Sequence, residues 1–381
     1  MSPLNHKIII PTTITLTIVL ILTLILSFNT TNPQTQNKEF YLGIEYAYGN
    51  KVSEVKTLVD KVKNYTNLFI LGSVDDTFKF NQTALDEASD YIINAKLHLI
   101  VLFTGSDQYT YSIFDWMSNA QQKYGNQFLG VYRYDEPGGN QIDNGPTSLI
   151  KSGTNYPEVA QNYTNTLKSI FVDNYLQTTP KIFTADYGLY WFNYKANYTT
   201  LFIEYVGNES RTRHIALGRA AAETFEKDWG VIITWKYDQP PYLESGDELY
   251  CDLALAYACG AKYAAVFSYP AIGKYGTLTD EHFETLEKFW NTLHTEPNSL
   301  GSIQAKIAYV VPADYGFGFR RPDDTIWGLF PADELSEKIY TDVKTLTDRY
   351  GAELNIFYDE PKITPLLKNY STILYWNQTL P

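Results

Sequence analysis

Residues 128–139 read FLGVYRYDEPGG. An apolar and aromatic run suited to a β-strand meets two adjacent carboxylates, Asp135 and Glu136, and is then halted by Pro137 and two glycines. The same design recurs along the chain. Short apolar runs stand at 40–49 (FYLGIEYAYG), 67–73 (NLFILGS), 97–105 (LHLIVLFTG), 181–187 (KIFTADY), 201–207 (LFIEYVG), 229–238 (WGVIITWKYD) and 262–270 (KYAAVFSYP). With FLGVYRYDEP at 128–137 they make eight predicted strands.

Helical patterns separate most of them. Val52, Val55, Leu58, Val59 and Val62 recur at helical spacing, as do Val159, Tyr163, Leu167, Ile170 and Phe171. Ser245 and Glu248 form a capping box for a helix that Gly260 ends. Eight strands alternating with helices over about 255 residues is the size of a (β/α)8 TIM-like barrel. Strands apolar on both faces fit a buried parallel sheet. The segment 188–200, GLYWFNYKANYTT, is a poor helix and predicts a short or irregular crossover. A doubly wound open sheet is the alternative, because strand count alone does not impose closure.

The barrel is expected over 40–296, followed by a break near HTEPNSLGS and a small αβ domain over 303–381. That domain opens with a strand in IQAKIAYVV and contains a helix in 333–351. Gly316 and Gly318 are spaced G-x-G, but no third glycine or helix start follows, which argues against a phosphate loop. Arg320-Arg321 beside Asp323-Asp324 predicts a knot of salt bridges between the two domains.

Residues 8–28 carry no charge. Twenty-one helical residues span roughly 30 Å, the thickness of a bilayer core, so 1–28 is expected to be one N-terminal transmembrane helix or a cleaved signal. Residues 29–39 then form a polar linker. Lys7 and the amino terminus put positive charge before the span, which favours a body outside the cytoplasm: a single-pass cell-membrane protein, or a secreted one if the segment is cleaved. Asn-x-Ser/Thr sequons at Asn29, Asn64, Asn81, Asn162, Asn197, Asn208, Asn369 and Asn377 agree with export and are expected glycosylation sites. Cys251 and Cys259 lie about 12 Å apart on one helix, too far for a disulfide, and are expected to be small core residues. A net charge of −13 argues against nucleic acid or anionic lipid as the main partner.

In barrels of this kind chemistry gathers at the carboxyl ends of the strands. There the sequence places Glu45, Tyr46 and Tyr48, then Asp75 and Asp76, then Asp135 and Glu136. Asp186 and Tyr187 follow, then Glu204 and Tyr205, then Trp235, Tyr237 and Asp238, and finally Ser268 and Tyr269. Paired carboxyls and aromatic faces are what cleavage of a glycosidic bond requires. Of these residues, Glu45, Tyr46, Asp135, Asp186, Tyr187, Trp235, Tyr237 and Tyr269 are the candidates for holding a sugar. Blander roles compete: Arg133 and Asp135, two apart, would pair on one side of a strand, and tyrosines often serve only to pack. There is no Gly-x-Ser-x-Gly elbow and no His-Glu-x-x-His, and the five histidines are scattered, so no metal or cofactor is expected.

Asp135-Glu136-Pro137 is similar to the Asn-Glu-Pro motif at strand four of many retaining families in the glycoside hydrolase superfamily, and the chain resembles a barrel of that superfamily over roughly 40–295. The resemblance implies that Glu136 is the general acid/base. Asp135 departs from the pattern, standing where an asparagine normally binds the sugar 2-hydroxyl. The family nucleophile is usually a glutamate ending strand seven; here Asp238 stands there, and Glu204 on strand six competes for the role. The small αβ domain resembles the flavodoxin-like domains that follow the barrel in some galactosidase families. The expected function is a membrane-anchored hydrolase of an external glycan. The alternatives are a non-catalytic glycan-binding or coat protein on the same scaffold and, on an open sheet, a peptide or nucleotide enzyme.

Overall fold

The computed structural model describes residues 39–380. The expected transmembrane segment, the linker and Asn29 lie outside the described residues. Among those described, no helix is long and apolar enough to cross a membrane.

Eight strands form a closed, fully parallel barrel. They are β1 (Tyr41–Tyr46), β2 (Leu68–Ser73), β3 (His98–Phe103), β4 (Phe128–Arg133), β5 (Ile182–Asp186), β6 (Thr200–Tyr205), β7 (Asp228–Ile233) and β8 (Tyr263–Ser268). Each pairs with its neighbour in sequence, and β8 closes on β1 from Tyr41 opposite Tyr263 to Tyr46 opposite Ser268. Closure removes the open-sheet alternative.

Strand periodicity sorts the side chains into two cores. One fills the lumen, with Tyr41, Ile70, Ile100, Tyr132, Phe183, Phe202, Ile232 and Tyr263 among its members. The other lies between strands and helices and takes Leu42, Ile44, Tyr46, Leu201, Ile203 and Tyr205. Glu45 and Glu204 therefore face the lumen, since they alternate with outward residues on β1 and β6.

In β4 a bulge changes the alternation. Leu99 pairs with Phe128, but Ile100 pairs with Gly130, leaving Leu129 as the extra residue. Gly130 has φ +138°, and a Cβ there would lie 2.1 Å from the Lys181 carbonyl oxygen. After the bulge, Val131 belongs to the outer core and Tyr132 to the lumen.

The weak crossover between β5 and β6 contains one short helix, Tyr190–Lys195, whose first five residues are all buried. It is aromatic all round because it is covered on both sides: Trp191 and Phe192 pack against Tyr358 of the C-terminal region at ring distances of 5.4 and 5.1 Å. That region is a three-stranded parallel sheet in the order β10-β9-β11. Its strands are β9 (Ile307–Val311), β10 (Leu354–Tyr358) and β11 (Thr372–Tyr375). The order is the 2-1-3 with which a flavodoxin-like sheet begins. Helix Glu334–Tyr350 packs on β9 and β10, and barrel helix Arg211–Phe225 packs on β10. Arg219 on the barrel helix donates to Asn355 Oδ1 at 2.9 Å and to the Leu354 carbonyl at 3.0 Å.

Of the two cysteines, only Cys259 is buried; Cys251 is exposed, a correction to the expectation that both are core residues. His214 is buried, its Nδ1 2.7 Å from the Tyr190 hydroxyl, and burial lowers its pKa to about 3.

Candidate active site

Glu136 sits just past β4, at the N-cap of the short helix Pro137–Ile142. Tyr134 (φ +60°) and Glu136 (φ +52°) are both left-handed, each at a cost of roughly 1–2 kcal/mol for a side chain-bearing residue. The surroundings impose this turn. Glu136 N donates to the Ala185 carbonyl at 3.1 Å. Asn140 Nδ2 donates to the carbonyls of Glu136 at 2.9 Å and Asp135 at 3.2 Å. Proline at the first helical position gives up no hydrogen bond.

Beneath the turn lies Asp186, fully buried at the end of β5. It accepts from the backbone N–H groups of Gly138 (2.6 Å), Gly139 (2.8 Å), Tyr187 (2.9 Å) and Gly188 (3.1 Å), and from Asn193 Nδ2 (2.6 Å). A carboxylate at a helix N-terminus is favoured by the helix dipole and by the free N–H groups of the first turn. Burial pushes its pKa up to about 7, against the donors that favour the ionised form. Gly138 belongs to this arrangement, because a Cβ there would lie 2.4 Å from the Gly188 carbonyl oxygen and 2.7 Å from Asp186 Oδ2.

Four carboxyls converge above the lumen: Glu45, Asp135, Glu136 and Glu204. Glu136 and Glu204 lie close enough to act on each other's ionisation. Burial is the largest cause of the upward pKa shift in all four. Glu136 is raised to about 7, by burial, then the charge of Asp135, then that of Asp143. Glu204 is held well above the usual carboxylate range, the charges of Glu136, Asp135 and Asp186 adding to burial. Glu45 is raised in the same way by burial, Asp135 and Glu136. Asp135 is raised by burial and partly restored by hydrogen bonds from the Tyr132 and Tyr48 hydroxyls. Among the described residues, no three His, Cys, Asp or Glu side chains are grouped so as to hold a metal ion.

The other candidates are placed differently. Tyr46 is a correction: it alternates with Glu45, so its ring is buried outside the barrel and its hydroxyl donates to Glu54 Oε2 at 2.9 Å. Asp186 likewise faces away from the lumen, its oxygens engaged as described. Tyr187 turns to the helix and donates to Asp143 Oδ2 at 2.5 Å. Asp238 is exposed on the loop after Ile233, where β7 stops, and no described interaction joins it to Glu136 or Glu204. Arg133 does not pair with Asp135; its guanidinium lies 5.1 Å from the rings of Phe171 and Tyr175.

Trp235 and Tyr269 are half-buried on the rim, with ring centroids 5.8 Å apart, and Tyr269 lies 5.9 Å from Tyr48. Tyr237 is 42% exposed, with the Lys236 ammonium 5.7 Å from its ring. The sequence placed Tyr48 at the end of the first strand but not among the sugar-holding candidates, and it did not single out Tyr132. Tyr132 carried no usable signal, because its inward aim depends on the bulge. Tyr48 lies two residues from Tyr46 at the end of the same strand, and only its positive φ, +49°, separates their roles.

The sequon asparagines Asn64, Asn81, Asn162, Asn208, Asn369 and Asn377 are exposed. Asn197 is half-buried and accepts from Lys227 Nζ at 3.4 Å.

No family model and no curated protein matches this chain. Solved structures share its architecture. The catalytic module of a family 98 glycoside hydrolase from Streptococcus pneumoniae is similar at 11% identity and a TM-score of 0.50, over 90% of this chain and 66% of that one. Alpha-L-fucosidase isoenzyme 2 from Paenibacillus thiaminolyticus is similar at 8% identity and a TM-score of 0.49, over 88% of this chain and 59% of that one. Orotidine 5'-monophosphate decarboxylase from Methanocaldococcus jannaschii is similar at 11% identity and a TM-score of 0.35, over 68% of this chain and all of that one. The chain thus spans less than two thirds of the two hydrolases. At these identities the likeness is one of fold, a TIM barrel.

Proposed function

We propose that this protein hydrolyses a glycosidic bond, with Glu136 and Glu204 as the reacting pair. The observation that carries this is the pairing of two carboxyls, Glu136 just past β4 and Glu204 on β6, close enough to act on each other's ionisation within a buried group of acids. Two carboxyls sharing one proton supply an acid and a base from neighbouring positions. Glu204 is buried and Glu136 only half-buried, so the protonated, neutral form is assigned to Glu204 as general acid and the carboxylate that attacks or stabilises to Glu136. This reverses the role that the resemblance implies for Glu136. Asp135, oriented by Tyr48 and Tyr132, accepts from a sugar hydroxyl, and Tyr269 and Trp235 present ring faces to the glycan. The substrate is an external or envelope glycan, reached by a body held outside the cytoplasm by residues 8–28.

A panel of glycosides with leaving groups from 4-nitrophenyl through phenyl to alkyl tests the pair and the roles together. Glu136→Gln is expected to lose hydrolysis of every cleaved substrate. Glu204→Gln is expected to lose it on poor leaving groups and keep much of it on activated aryl groups, which need no acid. Full activity in Glu136→Gln would overturn the proposal; the opposite leaving-group pattern would restore the acid role to Glu136.

A second proposal is glycan binding without turnover. It is favoured by Asp135 and Asp238, which stand where the resemblance implies an asparagine and a glutamate. Glycan-array binding by residues 39–381 with no hydrolysis of any bound glycan would select it.

A further inference from the structure

Between β9 and helix Glu334–Tyr350 the chain runs through residues 312–333 with little regular structure, which is long for a connection in a compact region. This segment is seated on the helix that Glu136 caps. Gln141, fully buried, donates from Nε2 to the Trp327 carbonyl at 2.9 Å and to the Ile150 carbonyl at 3.0 Å, and accepts from Ile150 N at 2.9 Å. Thr325 Oγ1 donates to the Ile142 carbonyl at 3.3 Å. Trp327 is buried, its ring 4.6 Å from Phe192 and 5.4 Å from Tyr163. Arg320 donates through Nε and Nη2 to buried Asp324 at 2.9 and 2.8 Å, and through Nη1 to Asp143 at the end of the site helix.

We propose that Arg320 and Asp143 are a positioning pair: through them the 312–333 segment holds helix Pro137–Ile142 in place and neutralises a negative charge that faces Glu136. This deepens the proposal above and rests on Glu136 being part of the reacting pair. Asp143 is fixed between two donors, the Tyr187 hydroxyl and the Arg320 guanidinium. Its charge acts on the Glu136 carboxyl. Glu136 also faces Asp135 in its own turn, Glu204 on β6, Glu45 on β1, and the Tyr48 and Tyr187 rings. Arg320 is the cation placed against this acidic surround at the helix end. Without it, Asp143 repels a proton-free Glu136 more strongly, and Glu136 holds its proton to higher pH.

The test is direct titration of the Glu136 carboxyl by carbon NMR in the full chain labelled at glutamate Cδ. Its signal is assigned by its loss in Glu136→Gln and checked against Glu204→Gln. Arg320→Gln is expected to raise the Glu136 midpoint by about half a unit, a threefold gain in proton affinity, and Asp143→Asn to lower it by a similar amount. The double variant is expected to return close to wild type, and Arg320→Lys to stay near it. Midpoints that stay put in both single variants, or move the same way in both, would overturn the proposal. If Arg320→Gln does not fold, Asp143→Asn and Arg320→Lys still decide: an unmoved Asp143→Asn midpoint overturns it. The titration reads no turnover, so failure of the hydrolysis proposal and failure of this one are separate results.

Discussion

Around β4, β5 and β6, the polar groups behind the candidate acids have fixed partners. Asp186 takes five N–H donors, Asn140 ties the turn, and the 312–333 segment locks the helix. Around β7, β8 and β1, the rim is faced with rings. Tyr269 meets Tyr48 edge-on and Trp235 at a tilt, and Tyr48 (44%) and Tyr237 (42%) are well exposed. The first half fixes geometry through buried hydrogen bonds, whose loss is costly. The second offers stacking area that tolerates adjustment. Tyr48 joins the halves, since its hydroxyl reaches Asp135 while its ring meets Tyr269.

If that contrast holds, substitutions on the two sides will differ in kind. The largest effect is expected from Asp186→Ala. It leaves at least four backbone N–H groups unsatisfied in a buried site, each worth about 1–3 kcal/mol, so a loss of several kcal/mol is expected in urea unfolding. A loss below about 1 kcal/mol would show that the turn is held by other means.

The next test uses pH. Glu136 is raised to about 7 from 4.5, by burial first, and burial also holds Glu45 and Glu204 well above the usual carboxylate range. Between the unfolded and folded pKa values the folded state binds more protons, so stability falls as pH rises. For Glu136 that window is 4.5 to about 7. Thermal unfolding of the wild type is expected to weaken from pH 5 to 7, and Glu136→Gln to flatten that slope. A slope unchanged by the substitution would mean that the acid half is wetter than its packing implies.

The smallest effect on folding is expected from Tyr269→Ala on the aromatic half, within about 1.5 kcal/mol, because its ring is only half-buried. Its expected signature is in binding: KM for any cleaved glycan rises about tenfold, with little change in kcat. Equal losses in kcat would move this ring from the binding wall to the reacting centre.

Much of this was legible in the chain. The eight apolar runs lie where the eight strands form, because a parallel strand buried on both faces must be apolar nearly throughout. Glu136 stood out because a strand that ends in Asp-Glu-Pro-Gly-Gly has no packing reason to do so. Glu204 stood out as a charge inside an otherwise apolar strand. The small C-terminal αβ unit was legible from its strand and helix patterns, though not its seat on the β4 helix.

Other features were decided only by the assembled barrel. Glu45 and Tyr46 are adjacent, and which of them enters the lumen depends on how β1 pairs with β2 and β8. Asp186 looks like any strand-end acid until the turn after β4 arrives with the N–H groups of Gly138 and Gly139. Tyr132 points inward because a bulge adds one residue to β4. Asp238 is exposed because it stands on the loop five residues past the end of β7 at Ile233. Strand positions follow from local hydrophobicity, which the chain carries residue by residue. The facing of a side chain follows from register and bulges, which exist only once neighbouring strands have paired.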